Sequence, residues 1–283
     1  MRFIAFEKDM KSGLAIEGAD GKLRGATEDA PGWIGDLDDL VRSGRLNEAA
    51  QHLREAGEID PASITVTLPF RRAGKVLCVG LNYADHASES KMEPPSFPTV
   101  FVRFNSNLVP HGADLVKPDA SDQFDYEGEL VAVIGKAGRE IPRQDALDHV
   151  AGYTIFNDGS IRDFQLRTNQ WTIGKNFDKT GALGPFFVTA DALPAGARGL
   201  RLTTRLNGAV MQNATTDDLI FSVADLVSHL SVGMTLEPGD LIVTGTPSGV
   251  GAARDPQVFM KPGDVCEIEV ERIGRLRNTV VAA

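Results

Sequence analysis

The chain has 283 residues, of which 42% are hydrophobic and 24% are charged, a composition typical of folded globular proteins rather than disordered ones. Lys and Arg total 29 against 39 Asp and Glu, giving a formal net charge of −10. Since no run of basic residues offers a contact surface for phosphate backbones, we expect no nucleic-acid partner. The N-terminal segment becomes charged too early for a signal peptide, and no run of about 18 apolar residues occurs. We therefore expect neither export nor a membrane-spanning helix.

The two cysteines predict buried thiols. Cys78 and Cys266 each lie within an apolar run of strand length, and neither belongs to a Cys-x-x-Cys motif. Such isolated cysteines are typical of reducing compartments, so we expect free thiols and a cytoplasmic protein.

The first 70 residues are predicted to form a small α/β domain. Strand-like pieces at residues 3–6 and 14–16 precede a stretch, residues 37–53, in which apolar residues recur at helical spacing. Asp60-Pro61 ends this pattern. We therefore place one small domain over residues 1–70 and one larger domain over residues 71–283.

The larger domain is predicted to be rich in strands. Its apolar runs of strand length are residues 76–79, 130–134, 153–156, 186–189, 241–244 and 265–270. Helices are expected only around residues 82–90, 144–149 and 222–231 and just after Ser160. Because regular alternation of strands and helices is missing, the pattern favours an α+β fold over a barrel of parallel strands.

A carboxylate pair stands out in the segment Asp125-Tyr-Glu-Gly-Glu-Leu-Val-Ala-Val-Ile134. In a strand, the period of two places Glu127 and Glu129 on one face together with buried valines. Two buried carboxylates repel each other unless a cation lies between them, and oxygen ligands suit Mg²⁺, Mn²⁺ or Ca²⁺. The alternative is a solvated strand start with Glu127 facing water.

A third acid, Asp158, ends the apolar run of residues 150–158. An acid at the end of a buried strand is well placed at the mouth of a site and could supply a third oxygen ligand. The alternative is an Asx turn, in which the side chain only caps the strand end.

His86 and Glu89 are three residues apart in a predicted helix, and therefore neighbours on one face. A carboxylate in this position can orient an imidazole that accepts a proton from water. The alternative is a surface histidine beside a surface glutamate.

Three further segments carry candidate substrate contacts. Lys175 lies in the largely apolar run of residues 171–177, where it could face an anion or lie in a solvated turn. Gly245 and Thr246 belong to a Gly-rich loop after a strand, whose free amides can cradle a carboxylate but which lacks the ending of a phosphate loop. Arg103, a cation in an apolar strand, could bind a second substrate carboxylate or form a surface ion pair.

Five motifs, taken together and in their order along the chain, resemble the fumarylacetoacetate hydrolase superfamily. The resemblance covers about three quarters of the chain, from Lys75 onward. They are Gly80-Leu-Asn-Tyr-Ala-Asp-His86, Tyr126-Glu-Gly-Glu129, Gly152-Tyr-Thr-Ile-Phe-Asn-Asp158, Gly174-Lys-Asn-Phe177 and Thr244-Gly-Thr-Pro-Ser-Gly249. The resemblance implies a mixed β-roll with a divalent metal held by Glu127, Glu129 and Asp158. It also implies a Lys175 near the substrate and a mobile lid that carries His86 and Glu89.

The implied activity is hydrolysis of a carbon-carbon bond in an acylpyruvate-like or fumarylacetoacetate-like β-diketo acid. The metal, Mg²⁺ or else Mn²⁺ or Ca²⁺, would chelate the keto acid, and water activated by His86 would attack the distal carbonyl. Lys175 and Gln165 are the candidate oxyanion donors.

Two alternatives stay open. The same metal-held enolate would serve a decarboxylase of a β-keto acid or an isomerase of a hydroxymuconate-type diacid. A purely structural metal that ties strands together is the other alternative, and it would leave His86 and Glu89 without a role. We expect a small-molecule keto acid as partner, and a homodimer.

Overall fold

A computed structural model of the chain describes residues 1–84 and 96–283, and strands dominate both ranges. The strands are β1 (Arg2–Lys8), β2 (Lys11–Glu17), β3 (Leu23–Thr27), β4 (Glu58–Ile59), β5 (Thr65–Val66), β6 (Val76–Gly80), β7 (Thr99–Val102), β8 (Leu108–Pro110), β9 (Leu115–Lys117), β10 (Phe124–Asp125), β11 (Gly128–Ile134), β12 (Val150–Asp158), β13 (Ser160–Ile161), β14 (Gly181–Leu183), β15 (Phe186–Thr189), β16 (Arg201–Leu206), β17 (Ala209–Thr215), β18 (Leu241–Val243), β19 (Val265–Val270) and β20 (Gly274–Ala282). The described α-helices are α1 (Leu37–Ser43), α2 (Leu46–Glu55), α3 (Arg162–Gln165), α4 (Thr172–Lys175) and α5 (Val223–Gly233).

Most strands join one large mixed sheet with the order β4-β3-β2-β1-β15-β12-β11-β18-β6-β7. Most neighbours are antiparallel, but β18 and β6 run parallel. A second sheet has the order β17-β16-β19-β20-β9, and β10 pairs with β13 separately. The strand-rich α+β fold expected from the sequence is confirmed.

Strand β11 is buried on both faces because each face meets a different hydrophobic cluster. Leu130 and Ala132 belong to the cluster that includes side chains of the second sheet, such as Ile268. Val131 and Val133 belong to the cluster that includes the apolar side chains of α1 and α2. The large sheet is therefore the middle layer of the fold, and its central strands β11 and β12 carry the predicted acids.

The first strands extend the large sheet instead of forming a separate one. Phe3 in β1 pairs with Phe187 in β15, and both side chains are fully buried in the same cluster. The division at residue 70 stays a prediction, but the two parts share a sheet and a core.

Several predicted helices occur with altered bounds. The stretch over residues 37–53 is split at Gly44, which has a left-handed φ of 68° and ends α1. Helix α5 begins after Ser222, which forms a capping box with Asp225. Residues 143–149 form a 3-10 helix, and the helix after Ser160 has four residues. The predicted helix over residues 82–90 lies mainly outside the described residues.

Two further expectations concern thiols and membranes. Cys78 and Cys266 are free and buried, as predicted. Among the described helices, none is long and apolar enough to cross a membrane.

The shared core predicts cooperative unfolding. Replacing Phe3 with Ala should lower the free energy of unfolding by about 3–5 kcal/mol, the usual cost of emptying a buried Phe site. Since β1 belongs to the large sheet, the whole urea transition should shift, as followed by both tryptophan fluorescence and far-ultraviolet circular dichroism.

Phe104→Ala is the matched control, because Phe104 is exposed. It should lower the free energy of unfolding by much less than Phe3→Ala does. Two separate transitions in the Phe3→Ala variant would show that residues 1–70 unfold independently.

Candidate metal centre and active site

The pairing of β11 with β12 brings three acids together. Glu127 directly precedes β11, Glu129 is its second residue, and Asp158 ends β12. The backbone N–H of Asp158 donates to the carbonyl oxygen of Glu127 at 2.9 Å. This bond holds the start of β11 beside the end of β12. All three carboxylates are buried, and one oxygen from each lies within 4.8 Å of the others.

The charged form of Glu129 is disfavoured at this cluster. Burial raises the pKa of Glu129 well above its ordinary value, and the negative charges of Asp158 and Glu127 raise it further. Lys175 and the N–H of Gly245 act in the opposite direction. A carboxyl whose charged form is disfavoured in this way gains most from an added cation, and three carboxylate oxygens form a ligand set for Mg²⁺, Mn²⁺ or Ca²⁺.

Lys175 is a cation that contacts two acids of this cluster. Its Nζ lies 2.7 Å from Glu127 Oε2 and 2.6 Å from Asp158 Oδ2, and the residue is only 1% exposed. Burial alone would lower the pKa of Lys175, but the two carboxylates outweigh it and hold the pKa above its ordinary value. Lys175 is therefore a charged donor at the edge of the acidic cluster.

Arg103 lies behind the cluster. Its Nη1 is 2.6 Å from Asp158 Oδ1, and its Nη2 donates to Thr180 Oγ1 at 2.8 Å. The guanidinium is fully buried, and Arg103 is not among the residues that line the adjacent cavity. In the structure Arg103 pairs with Asp158, and its contact with a second substrate carboxylate stays a prediction.

Arg162 and Asp125 are site residues that the sequence analysis missed. Arg162 lies 2.6 Å from Glu127 Oε1 through Nη1 and 2.8 Å from Asp125 Oδ2 through Nε. Its Nη1 also donates to Gln165 Oε1 at 2.9 Å. Asp125 accepts further bonds from the N–H groups of Gly251 and Ala252. The sequence feature that could have indicated Arg162 is its three-residue spacing from Gln165 on a helix that follows Asp158, which makes the two side chains neighbours.

The Gly-rich loop after β18 holds Glu129. The N–H of Gly245 donates to Glu129 Oε2 at 2.6 Å. Gly245 has a φ of 106°, and an added Cβ would lie 2.8 Å from the Cβ of Asn82, so glycine is required. Thr246 donates to the carbonyl of Gly128 at 3.0 Å and lines the adjacent cavity. The loop's amide thus contacts a candidate metal ligand, while Thr246 stays a predicted substrate contact.

A cavity of about 350 Å³ opens directly onto these groups. Its lining consists of Val79, Gly80, Leu81, Phe101, Glu127, Glu129, Arg162, Gln165, Leu166, Trp171, Lys175, Thr246, Val250, Ala252 and Ala253. It has the size of pockets that enclose small molecules, and its charged groups converge on one part of it. The arrangement can hold a cation and place an anionic ligand beside Lys175.

His86 and Glu89, the two residues assigned to the predicted lid, lie outside the described residues. The chain just before them is anchored: the side-chain amide of Asn82 donates to the carbonyl of Thr244 at 2.7 Å. The roles of His86 and Glu89 stay predictions.

Comparison with known proteins decides the family. The family profile described as "Fumarylacetoacetate (FAA) hydrolase C-terminal" matches residues 75–281. The chain belongs to the fumarylacetoacetate hydrolase family. It is 43% identical over 222 residues to the human mitochondrial oxaloacetate tautomerase FAHD2A, covering 78% of this chain and 70% of that protein.

Solved structures of the family share the fold. A fumarylacetoacetate hydrolase from Exiguobacterium antarcticum is similar with a TM-score of 0.89 and 34% identity over 100% of both chains. The fumarylpyruvate hydrolase from Pseudomonas aeruginosa, in complex with Mn²⁺ and pyruvate, is similar with a TM-score of 0.68 and 35% identity over 77% of this chain and 92% of that one.

The buried pair of Arg103 and Asp158 yields a stability prediction. Replacing Arg103 with Met should lower the free energy of unfolding by about 3–5 kcal/mol, because it leaves a buried carboxylate with one partner fewer. Urea denaturation measures the loss. Arg205→Met is the control: Arg205 pairs with Glu269 on the partly exposed sheet surface, and its loss should cost about 1 kcal/mol or less. Equal losses in the two variants would contradict the structural role of Arg103.

Proposed function

We propose that Glu127, Glu129 and Asp158 hold a divalent cation, Mg²⁺ or else Mn²⁺ or Ca²⁺, and that the protein forms the enolate of a 2-oxo acid. The observation that carries this proposal is the buried acidic cluster that opens onto a cavity beside Lys175. The Mn²⁺ and pyruvate in the Pseudomonas fumarylpyruvate hydrolase support it.

The chain's own residues would orient the substrate and stabilise its negative charge. A bound divalent cation would supply Lewis-acid stabilisation of the negative charge that develops on an enolate. Lys175 and Gln165 line the cavity and are the proposed hydrogen-bond donors to substrate oxygens, and Arg162 bonds both Glu127 and Gln165. These donors lie in a buried site, where their interaction with a developing oxyanion is stronger than in water. His86, oriented by Glu89, is the proposed group that accepts or returns the proton.

Keto–enol tautomerisation of an oxaloacetate-like acid is the reaction we favour. It requires enolate stabilisation and proton transfer, and the relatives support it, since FAHD2A is an oxaloacetate tautomerase. In this reaction a proton leaves carbon 3 of the keto form and one is returned to the enol oxygen, so no bond between carbons breaks.

Hydrolysis of a carbon-carbon bond in an acylpyruvate-like or fumarylacetoacetate-like β-diketo acid is the second candidate. The pyruvate bound by the Pseudomonas hydrolase favours the acylpyruvate-like substrate, because hydrolysis of an acylpyruvate leaves pyruvate and the carboxylic acid of the acyl group. The decarboxylase and isomerase alternatives rest on the same enolate. The predicted cytoplasmic location and homodimer stay predictions.

One activity assay on two substrates distinguishes tautomerisation from hydrolysis. Purified protein with Mn²⁺ is given the enol form of oxaloacetate and, separately, an acylpyruvate, and the ultraviolet absorbance of each enol is followed. We expect faster ketonisation of oxaloacetate, with oxaloacetate conserved by mass spectrometry. Acylpyruvate cleavage to pyruvate without tautomerisation of oxaloacetate would replace the favoured reaction with the second one, and inactivity on both would contradict the proposal.

The proposed metal and proton-transfer roles predict separable defects. Glu127→Gln should greatly weaken Mn²⁺ binding, because a charged ligand is lost, and activity should fall with it. His86→Ala should keep the Mn²⁺ affinity and lower the rate by about 10²–10⁴, as expected for loss of a general base. Calorimetric Mn²⁺ titration and turnover measure the two effects. An equal loss of Mn²⁺ affinity in both variants would mean that His86 is a metal ligand.

A further inference from the structure

A buried amide side chain from the second sheet reaches the segment that carries two of the acids. Gln212 lies on β17 opposite Thr204 of β16, and it is 1% exposed. The same sheet packs closely on Gly128, the residue between Glu127 and Glu129, where an added Cβ would lie 2.3 Å from Thr204 Oγ1. A side chain at residue 128 would collide with this sheet. Glycine there lets the second sheet approach the backbone between the two acids.

Side chains complete the hydrogen bonding of β11 where its pairing with β18 ends. Strand β18 pairs with residues 131–133 of β11, three residues beyond Gly128. The Gly128 N–H instead donates to Gln212 Oε1 at 2.9 Å, and the Gly128 carbonyl accepts from Thr246 Oγ1 at 3.0 Å. Two buried side chains therefore satisfy both backbone polar groups of the residue between the acids.

These bonds close a ring in which each member donates to the next. The Gln212 Nε2 donates to Thr246 Oγ1 and to the carbonyl of Pro247, both at 2.8 Å. Because the Gly128 N–H can only donate and the Pro247 carbonyl can only accept, the two ends of the Gln212 amide cannot be exchanged. The Thr246 hydroxyl accepts from Nε2 and donates its single proton to the carbonyl of Gly128. Gly128, Gln212 and Thr246 thus hold one another in one arrangement.

We propose that Gln212 is a positioning residue of the metal centre, which sets the spacing of the Glu127 and Glu129 carboxylates by holding Gly128. The proposal rests on the proposed function, which assigns a divalent cation to these acids. The Gly128 N–H belongs to the peptide group shared with Glu127, and the Gly128 carbonyl to the peptide group shared with Glu129. Fixing both groups fixes the backbone from which both carboxylates extend.

The ring also ties this backbone to the loop that contacts Glu129. Thr246 and Pro247 follow Gly245, whose N–H donates to Glu129 Oε2 at 2.6 Å. Gln212 bonds Thr246 and Pro247 and accepts from the Gly128 N–H, so it keeps the loop and the acid-bearing segment in register. Loss of its amide should therefore displace candidate metal ligands that it does not itself touch.

Two variants break the ring with little change in side-chain size. Gln212→Met removes the acceptor for Gly128 and the donor to the loop, whereas Thr246→Val removes the hydroxyl. Calorimetric titration of the full chain measures the Kd for Mn²⁺. Each variant should raise this Kd by about tenfold, because partners that orient metal ligands contribute about 10–100-fold to metal affinity. The electron paramagnetic resonance spectrum of bound Mn²⁺ should change as well, since its oxygen ligands are displaced.

Thr216→Val is the matched control. Thr216 is 3% exposed against 4% for Thr246, and its Oγ1 likewise bonds backbone, donating to the carbonyl of Ala197 at 2.6 Å and accepting from the Leu200 N–H at 3.0 Å. The described lining of the cavity does not include Thr216. This variant should lower the urea midpoint, as Thr246→Val does, but keep the wild-type Kd for Mn²⁺ and the wild-type spectrum.

The double variant tests whether Gln212 and Thr246 act through one ring. Combining Gln212→Met with Thr246→Val should raise the Kd by less than the product of the two single effects, because each change breaks the same ring. Effects that multiply would mean that the two side chains act separately, and would overturn the proposal.

The remaining outcomes separate this proposal from the proposed function. An unchanged Kd and spectrum in Gln212→Met and Thr246→Val would overturn the positioning role, and so would an equal loss of Mn²⁺ affinity in Thr216→Val. In both cases the proposed metal centre stands if the wild type binds Mn²⁺ and Glu127→Gln weakens that binding. If Gln212→Met does not fold, Thr246→Val decides by the same measurements. If the wild type does not bind Mn²⁺, or if Glu127→Gln leaves the affinity unchanged, the proposed function fails and this proposal fails with it.

Discussion

Mutual repulsion among three buried carboxylates is the constraint on which the rest of the site depends. Glu127, Glu129 and Asp158 are buried together, and burial, followed by the negative charges of Asp158 and Glu127, raises the pKa of Glu129. Among the described residues, three cationic side chains contact the cluster: Arg103 on Asp158, Arg162 on Glu127, and Lys175 between these two acids. None of these three pairs with Glu129, which accepts a hydrogen bond from the N–H of Gly245. This distribution of charge explains why the site is suited to an added cation.

The sheet topology brings the members of this cluster together. Adjacent central strands supply the acids, and β18 on the other side of β11 delivers the Gly245 loop to Glu129. Pairing of β10 with β13 places Asp125 opposite Ser160, so that Arg162 can bind Asp125 and Glu127 together. Each acid is therefore held by a neighbouring strand or loop.

Local pattern marked the acids as candidates but gave no sign of their partners. Alternation along β11 pointed to Glu127 and Glu129, and the abrupt polar end of β12 pointed to Asp158, because each signal lies within one segment. The alternatives of a solvated strand start and an Asx turn stayed open until the family resemblance joined the three acids. Arg103 was found as an unusual cation, yet its partner Asp158 is 55 residues away, and no spacing rule joins them. The same limit applies to the first strands. Their pairing with β15 depends on a register, Phe3 with Phe187, that neither segment encodes alone.

The most direct test of the account is a crystal structure of the protein soaked with MnCl₂, with anomalous scattering recorded for manganese. The account predicts one anomalous peak whose nearest protein ligands are oxygens of Glu127, Glu129 and Asp158, at about 2.0–2.6 Å, the range of bonds between hard cations and oxygen. The three carboxylates without a peak among them, or with manganese bound elsewhere, would contradict it.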